Sequence, residues 1–390
     1  MRVTSIVAVA DSDSYLKWAA ATLDRLDEIG SRELVVLRTP VQPDDLQARA
    51  ALAGTGWAGV VVDDHSLLGL TARLRRTRPD AILVATTGPA AEVLIRMISL
   101  LPYRPVVVTG LPGMSIPATE RALQFRSGAD VFVVHSRHER DAFAIAARSA
   151  RVHPTWAVNR LAFLGGRAGV AVPADAEPVR RVVFAPQAKF PATPEQRTRV
   201  LRSLAALARS RPDLDVVVKL RARAGQAQTH DEPYPYDTLW SELGDDAPLT
   251  LVTGPLAEHL VPGTALVTIS STAMLEALAA GLRGIVLADF GVGDENLTTV
   301  YEGSGLLGTL RDVEAGRFFA PTAEWLVENY LHPEPDELPA VLDGLAALGP
   351  VLPGPPVGGR RAQARRYARL ALRRPRLARR DRAGRVSRRR

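Results

Sequence analysis

The chain has 390 residues, 46% hydrophobic but only 5% aromatic, and no cysteine. Such a length suits two domains of about 150–200 residues with cores of Val, Leu and Ala. The missing cysteine excludes disulfides, zinc–thiolate and iron–sulfur centres and thiol nucleophiles, which favours a reducing compartment. The net charge of +7 is uneven: the stretch from Arg360 to Arg390 holds 15 Arg and one Asp, so the preceding residues carry −7. The basicity belongs to a tail and does not mark a fold that binds a specific nucleic acid.

Residues 1–10 turn polar too soon for a signal peptide, and no run reaches the roughly 18–20 apolar residues of a membrane-spanning helix. A cytoplasmic location is expected, with at most peripheral contact at the inner face of the plasma membrane. Val/Ile/Leu-rich runs predict strands over 5–10, 33–38, 59–62, 81–85, 105–109 and 131–135, with helices between them, such as 15–29 and 88–100. Strands alternating with helices mean βαβ units, a parallel sheet and right-handed crossovers.

The pattern restarts after residues 165–178, a Gly/Ala/Pro-rich linker. Strands are predicted over 181–185, 215–220, 249–253, 265–270 and 284–288, with helices over 194–209, near 256–260 and over 272–280. Amphipathic helices close the half at 321–331 and 337–348, and a Pro/Gly run from 349 breaks the pattern. The expected fold is α/β: two Rossmann-like parallel-sheet domains facing a cleft, residues 1–165 on the acceptor side and 175–348 on the nucleotide side. Residues 349–390 form a basic tail, disordered alone or, as a helix, amphipathic and suited to an anionic membrane surface.

Candidate chemistry sits where strands end. Asp11-Ser12-Asp13-Ser14 follows the first strand; Asp11 or Asp13 is a candidate general base, with helix capping as the alternative. Asp63-Asp64-His65 is a rival base or a surface turn. Gly110 and Gly113, in Thr109-Gly110-Leu111-Pro112-Gly113, admit a close substrate approach or simply make a tight turn. Ser136 and Glu139 read as a capping box. In the second half, Gln187 and Lys189 follow one strand and Gly254 another, as cleft residues. Lys219 closes a buried strand and is one of only three lysines against 46 arginines.

The segment Ser270-Ser271-Thr272 joins a strand to a helix, where small hydroxyl residues cap and where free amides and the helix dipole favour an anion. Glu276, one turn on, is placed to accept hydrogen bonds from ribose hydroxyls. No His, Asp or Glu cluster has metal-ligand spacing, so neither a metal nor another cofactor is expected.

From Ser270 to Gly281, and on through Asp289-Phe290-Gly291-Val292-Gly293-Asp294-Glu295-Asn296, the sequence resembles the nucleotide-sugar-binding domain of GT-B glycosyltransferases. The likeness is greatest to bacterial capsule-type sialyl- and Kdo-transferases. The whole chain is also similar to actinobacterial proteins described as glycosyltransferases, with Ala8–Tyr15 and Ser304-Gly305 as further similar segments. The resemblance implies a nucleotide-sugar donor with Ser270, Ser271 and Thr272 on its phosphate, and a basic partner after an earlier strand. Where those sialyltransferases have His-Pro, this chain has Lys219-Leu220-Arg221-Ala222-Arg223; Lys219 or Arg221 is then the leaving-group cation, with His230 as a second candidate. The implied activity is metal-independent transfer of a hexosyl or sialyl/Kdo unit to a cell-surface polysaccharide or glycolipid. The rivals are a nucleotide-sugar epimerase and a non-catalytic nucleotide-binding protein tethered by its tail.

Overall fold

The computed structural model describes residues 2–164, 178–187, 190–220 and 232–348. Seven strands form the first sheet: β1 (Ser5–Ala10), β2 (Ser31–Leu37), β3 (Asp64–His65), β4 (Ala81–Ala85), β5 (Val106–Gly110), β6 (Val131–Val134) and β7 (Thr155–Val158). Six form the second: β8 (Arg181–Phe184), β9 (Asp215–Lys219), β10 (Leu249–Val252), β11 (Thr264–Thr268), β12 (Arg283–Leu287) and β13 (Leu307–Gly308). Every pairing within the two sheets is parallel.

The orders are β3-β2-β1-β4-β5-β6-β7 and β10-β9-β8-β11-β12-β13. Both contain the strand order of dinucleotide-binding domains, in which connections run opposite ways from the first strand. The crevice at each such switch point opens at the carboxyl ends of β1 and β4, and of β8 and β11. Helices clad both faces. Along β1, Ile6, Ala8 and Ala10 enter one core while Val7 and Val9 enter the other. Along β8, Val183 and Phe184 likewise divide between two cores. Burial on both faces makes these strands near-continuous apolar runs, which is why they are readable from sequence.

Three differences from the sequence reading follow from burial. The apolar run 59–62 is not a strand: Val61 is 92% exposed, and the two-residue β3 lies just beyond it. β7 and β13 are short edge strands without a long apolar run. The last helix, Leu338–Leu348, expected with the second half, packs on the first sheet, where Leu338 and Leu342 share a core with Ile6, Leu23 and Val133.

The returning segment is tied down along its length. Tyr330 Oη donates to Glu139 Oε1 at 2.7 Å, and Arg137 pairs with Glu334 at 2.5 Å. The Asp336 carboxylate accepts from the Arg160 amide at 2.8 Å and from Arg25, and Glu337 accepts from the Val158 amide at 2.8 Å. Glu139 therefore does not complete the expected capping box. Ser136 Oγ does accept from the Glu139 amide, but the carboxylate takes the amides of His135 and Ser115 and the Tyr330 hydroxyl.

Candidate active site

The carboxyl ends of β8, β9 and β11 converge on a cavity of about 490 Å³, lined by Gln187, Lys219, Ser270, Ser271, Thr272 and Glu276 from the second domain and by Gly113 and Met114 from the first. That volume lies within the roughly 300–1,000 Å³ of small-molecule sites. The switch point is closed by one bond: Ser270 Oγ donates to Gln187 Oε1 at 2.9 Å. Just beneath, Thr268 Oγ1 donates to the Ala185 carbonyl at 2.8 Å, fixing β11 to β8.

The turn itself departs from simple Ser/Thr capping. Thr272 occupies the N-cap with helical backbone angles and makes no side-chain cap bond; instead Ser271 Oγ accepts from the Ala273 amide at 3.1 Å. The Ser271 carbonyl is held from below by the fully buried Tyr301, whose hydroxyl donates to it at 3.1 Å. Burial also pushes the Tyr301 phenol far up, so it stays a hydrogen-bond donor at neutral pH.

Glu276 lies half-buried one turn along the helix Ala273–Ala279, and burial pushes its carboxyl above the usual glutamate value, opposed by the ammonium groups of Lys17 and Lys219. Lys17 belongs to the first domain, on the helix Asp13–Asp24. The carboxylate thus feels cations from both sides of the cleft.

Other candidates separate. Asp11 is fully buried at the β1/β4 switch point, with Oδ1 accepting from the Thr87 amide at 2.9 Å and Oδ2 from the Thr87 hydroxyl at 2.5 Å. Burial raises its pKa, while Thr87 and Arg126 draw it down. Both oxygens are engaged, so Asp11 ties strand ends together and does not face a substrate. Asp13, at the start of the first helix, is half-buried and, among the described residues, receives the neighbouring Ser14 amide and hydroxyl alone. Gly110 also belongs to packing: a Cβ there would stand 2.7 Å from the Val133 carbonyl and 2.9 Å from the Trp18 ring. Gly113 has open space around it and lines the cavity. Gly254 is exposed at φ +105, a left-handed conformation that explains the glycine, and lies outside the cavity lining. Asp64 pairs with Arg38, which holds its carboxyl below the usual range, so that turn is a surface ion pair. Lys189, Arg221 and His230 lie outside the described residues. Among those residues no group of three His, Asp or Glu is arranged to hold a metal ion, and no helix is long and apolar enough to cross a membrane.

Five contributors escape the sequence reading: Lys17, Met114, Leu256, Leu297 and Tyr301. The rarity that singles out Lys219 applies equally to Lys17. Nothing local marks Tyr301, which acts from 30 residues downstream.

The fold is shared with enzymes of nucleotide-sugar chemistry. A Staphylococcus aureus MnaA–UDP structure aligns over 91% of this chain and all of its own, at 12% identity and a TM-score of 0.54. The Neisseria meningitidis UDP-GlcNAc 2-epimerase bound to UDP-GlcNAc aligns over 80% of this chain and 90% of its own, at 12% identity and a TM-score of 0.53. A Polygonum tinctorium UDP-glucosyltransferase aligns over 95% and 93%, at 12% identity and a TM-score of 0.52. Comparison with curated protein sequences gives no match. The two domains have the GT-B arrangement. The family model described as "Putative glycosyltransferase (DUF6716)" matches residues 6–345, and the chain belongs to that family.

Proposed function

We propose that the chain transfers a sugar from a nucleotide-sugar donor to a cell-surface glycan or glycolipid, with the donor in the cleft of the second domain. The observation that carries this reading is the convergence of Ser270, Ser271, Thr272, Gln187, Lys219 and Glu276 on one cavity at a topological switch point. The donor phosphate sits on the Ser270–Thr272 turn, Lys219 supports the departing phosphate, and Glu276 accepts from the ribose hydroxyls. An acceptor hydroxyl enters from the first domain. Its oxygen attacks the anomeric carbon, the bond from that carbon to phosphate oxygen breaks, and the proton passes to Asp13. Of the two candidate carboxylates, Asp13 is the one not sealed by Thr87. Attack by a hydroxyl on the face opposite the leaving phosphate inverts the anomeric configuration.

Uridine donors are the first to test, because UDP and UDP-GlcNAc occupy solved neighbours of this fold. A thermal-shift screen against UDP-, GDP-, CDP- and CMP-linked sugars is expected to raise the midpoint for one nucleotide class. Ser271→Asp, which sets a carboxylate against the phosphate, is expected to abolish that shift; a shift left intact sinks the donor-site assignment.

The epimerase reading rests on the same fold similarity. Incubation with the donor alone decides it, since a transferase leaves the sugar unchanged without acceptor while an epimerase returns an altered one. We place the protein in the cytoplasm, with the Arg-rich stretch from Arg360 to Arg390 drawing it to anionic lipid. Sedimentation with phosphatidylserine vesicles, comparing the full chain with one ended at residue 359, tests the tail: equal binding makes it a passive solubiliser.

A further inference from the structure

Beneath the cavity, at the base of the loop that carries Gln187, lies a buried ion pair that the proposed chemistry does not use. The side chains of Arg197, on the helix Pro194–Ser210, and Glu232 are 1% and 4% exposed and meet at 2.7 Å. The same guanidinium donates to three backbone carbonyls: Pro191 at 2.9 Å, Tyr234 at 2.7 Å and Gln187 at 3.4 Å. Its central carbon lies over the Tyr236 ring, 5.0 Å from the centroid, and Tyr236 in turn packs edge-on against Phe184 of β8.

Burying two charges carries a heavy desolvation penalty, so an apolar pair of similar volume would serve the core at least as well. What an apolar pair cannot do is grip carbonyls from two separate loops at once. The planar fork of arginine does this, and a lysine ammonium cannot reproduce it. One of the gripped residues, Gln187, presents its side-chain oxygen to Ser270, the first residue of the phosphate turn. The chain of contacts runs from Glu232 through Arg197 to the Gln187 carbonyl, and from the Gln187 side chain to Ser270.

We propose that Arg197, paired with Glu232, is a positioning residue for the donor site: it holds the Gln187 and Pro191 carbonyls after β8 so that Gln187 keeps Ser270 in place to receive phosphate. The inference rests on the donor-site reading. It predicts that loss of the fork weakens nucleotide binding in a protein that stays folded, and that the effect passes through Gln187.

The test measures calorimetric binding of UDP, GDP, CDP and CMP to the full chain, then takes the tightest of the four to the variants. R197M/E232L removes both charges together and so leaves no unpaired ion. Q187A removes the bridge to Ser270. The expected result is about tenfold weaker binding for R197M/E232L, since small misplacements of a binding group cost one to two orders of magnitude. Combined with Q187A, the loss is expected to fall well short of the product of the separate effects. Should R197M/E232L fail to fold, R197K keeps the charge and loses the fork; a several-fold loss by R197K, not multiplied by Q187A, supports the proposal in the same way. A folded R197M/E232L or R197K that binds within about twofold of wild type overturns the inference alone. A wild-type chain that binds none of the four nucleotides overturns the donor-site reading, and this inference with it.

Discussion

Asp11 and Asp13 follow the same strand, two residues apart, yet the fold gives them different surroundings. Asp11 accepts the amide and the hydroxyl of Thr87, 76 residues away. Among the described residues Asp13 bonds to Ser14 alone, beside it in sequence. The Asp-x-Asp spacing places both carboxylates at a strand's carboxyl end, and no local signal tells which one a distant threonine seals. Their substitution is expected to separate structure from chemistry. Asp11→Ala leaves the half-buried Thr87 amide and hydroxyl without their acceptor and removes the negative charge nearest Arg126, a loss of about 1–2 kcal/mol of stability. Asp13→Ala is expected to stay within about 0.5 kcal/mol of wild type and, with Asp13 as the proposed base, to slow transfer by roughly 10²–10⁴. Urea denaturation beside a transfer assay checks the pair, and equal thermodynamic costs would remove the distinction.

Glu276 carries the pH prediction at the same scale. Burial lifts its folded-state carboxyl above the ordinary 4.5, so the folded protein keeps that proton to higher pH than the unfolded chain does. This group's contribution to stability is therefore fully present below 4.5 and declines as pH rises through the folded value. Under the proposed donor site, binding has the opposite sign, because only an ionised Glu276 carboxylate would accept from two ribose hydroxyls. Affinity for UDP-GlcNAc, whose bridged phosphates do not titrate there, is expected to fall on acidification through a window lying above 4.5. In Glu276→Gln that dependence should flatten, which calorimetry at several pH values measures directly.

Among the elements, the central strands are the most legible, because burial on both faces leaves an apolar run with turn residues at each end. β4 is the extreme case, all five residues fully buried. Legibility fades at the sheet edges, where β3 and β13 have two residues each and pairing is decided by neighbours. The site follows the same gradient. Its polar floor lies at strand ends and could be named in advance, whereas its supports come from elements far along the chain. Tyr301 is such a support: it lies in a short 3-10 turn, stacks on Trp325 with centroids 5.9 Å apart, and carries the Ser271 carbonyl. Tyr301→Phe keeps the stacking and removes the hydroxyl's bond to the Ser271 carbonyl and its 3.9 Å contact with Met114 Sδ, at a cost of about 1 kcal/mol in stability. With the turn released from below, UDP affinity is expected to fall several-fold, and unchanged affinity would reduce Tyr301 to a core residue.

For the whole molecule, the decisive feature is that the chain returns. Sequence periodicity finds the final helix but not its partner, since an apolar stripe states only that something covers it. The structure lays that stripe on the first sheet, so the first domain is completed by residues that follow the second. Leu338 is fully buried and Leu342 1% exposed, packed among residues drawn from β1, β5 and the first helix. The Leu338 amide donates to Asn159 Oδ1 at 3.1 Å, beside the Glu337 contact to Val158. A chain ended at residue 348 sheds only the Pro/Gly run and the Arg-rich stretch, whose composition has little apolar surface to bury, and is expected to unfold at the wild-type urea midpoint. A chain ended at 337 loses both leucines, each worth about 1.5–3 kcal/mol of burial. That is a large share of the roughly 5–15 kcal/mol that holds a domain folded. The shorter chain should therefore unfold at markedly lower urea, with the change reported by Trp18 and Trp57, which belong to or pack against that core. Coincident midpoints for the two truncations would mean that the first domain is complete without its returning helix.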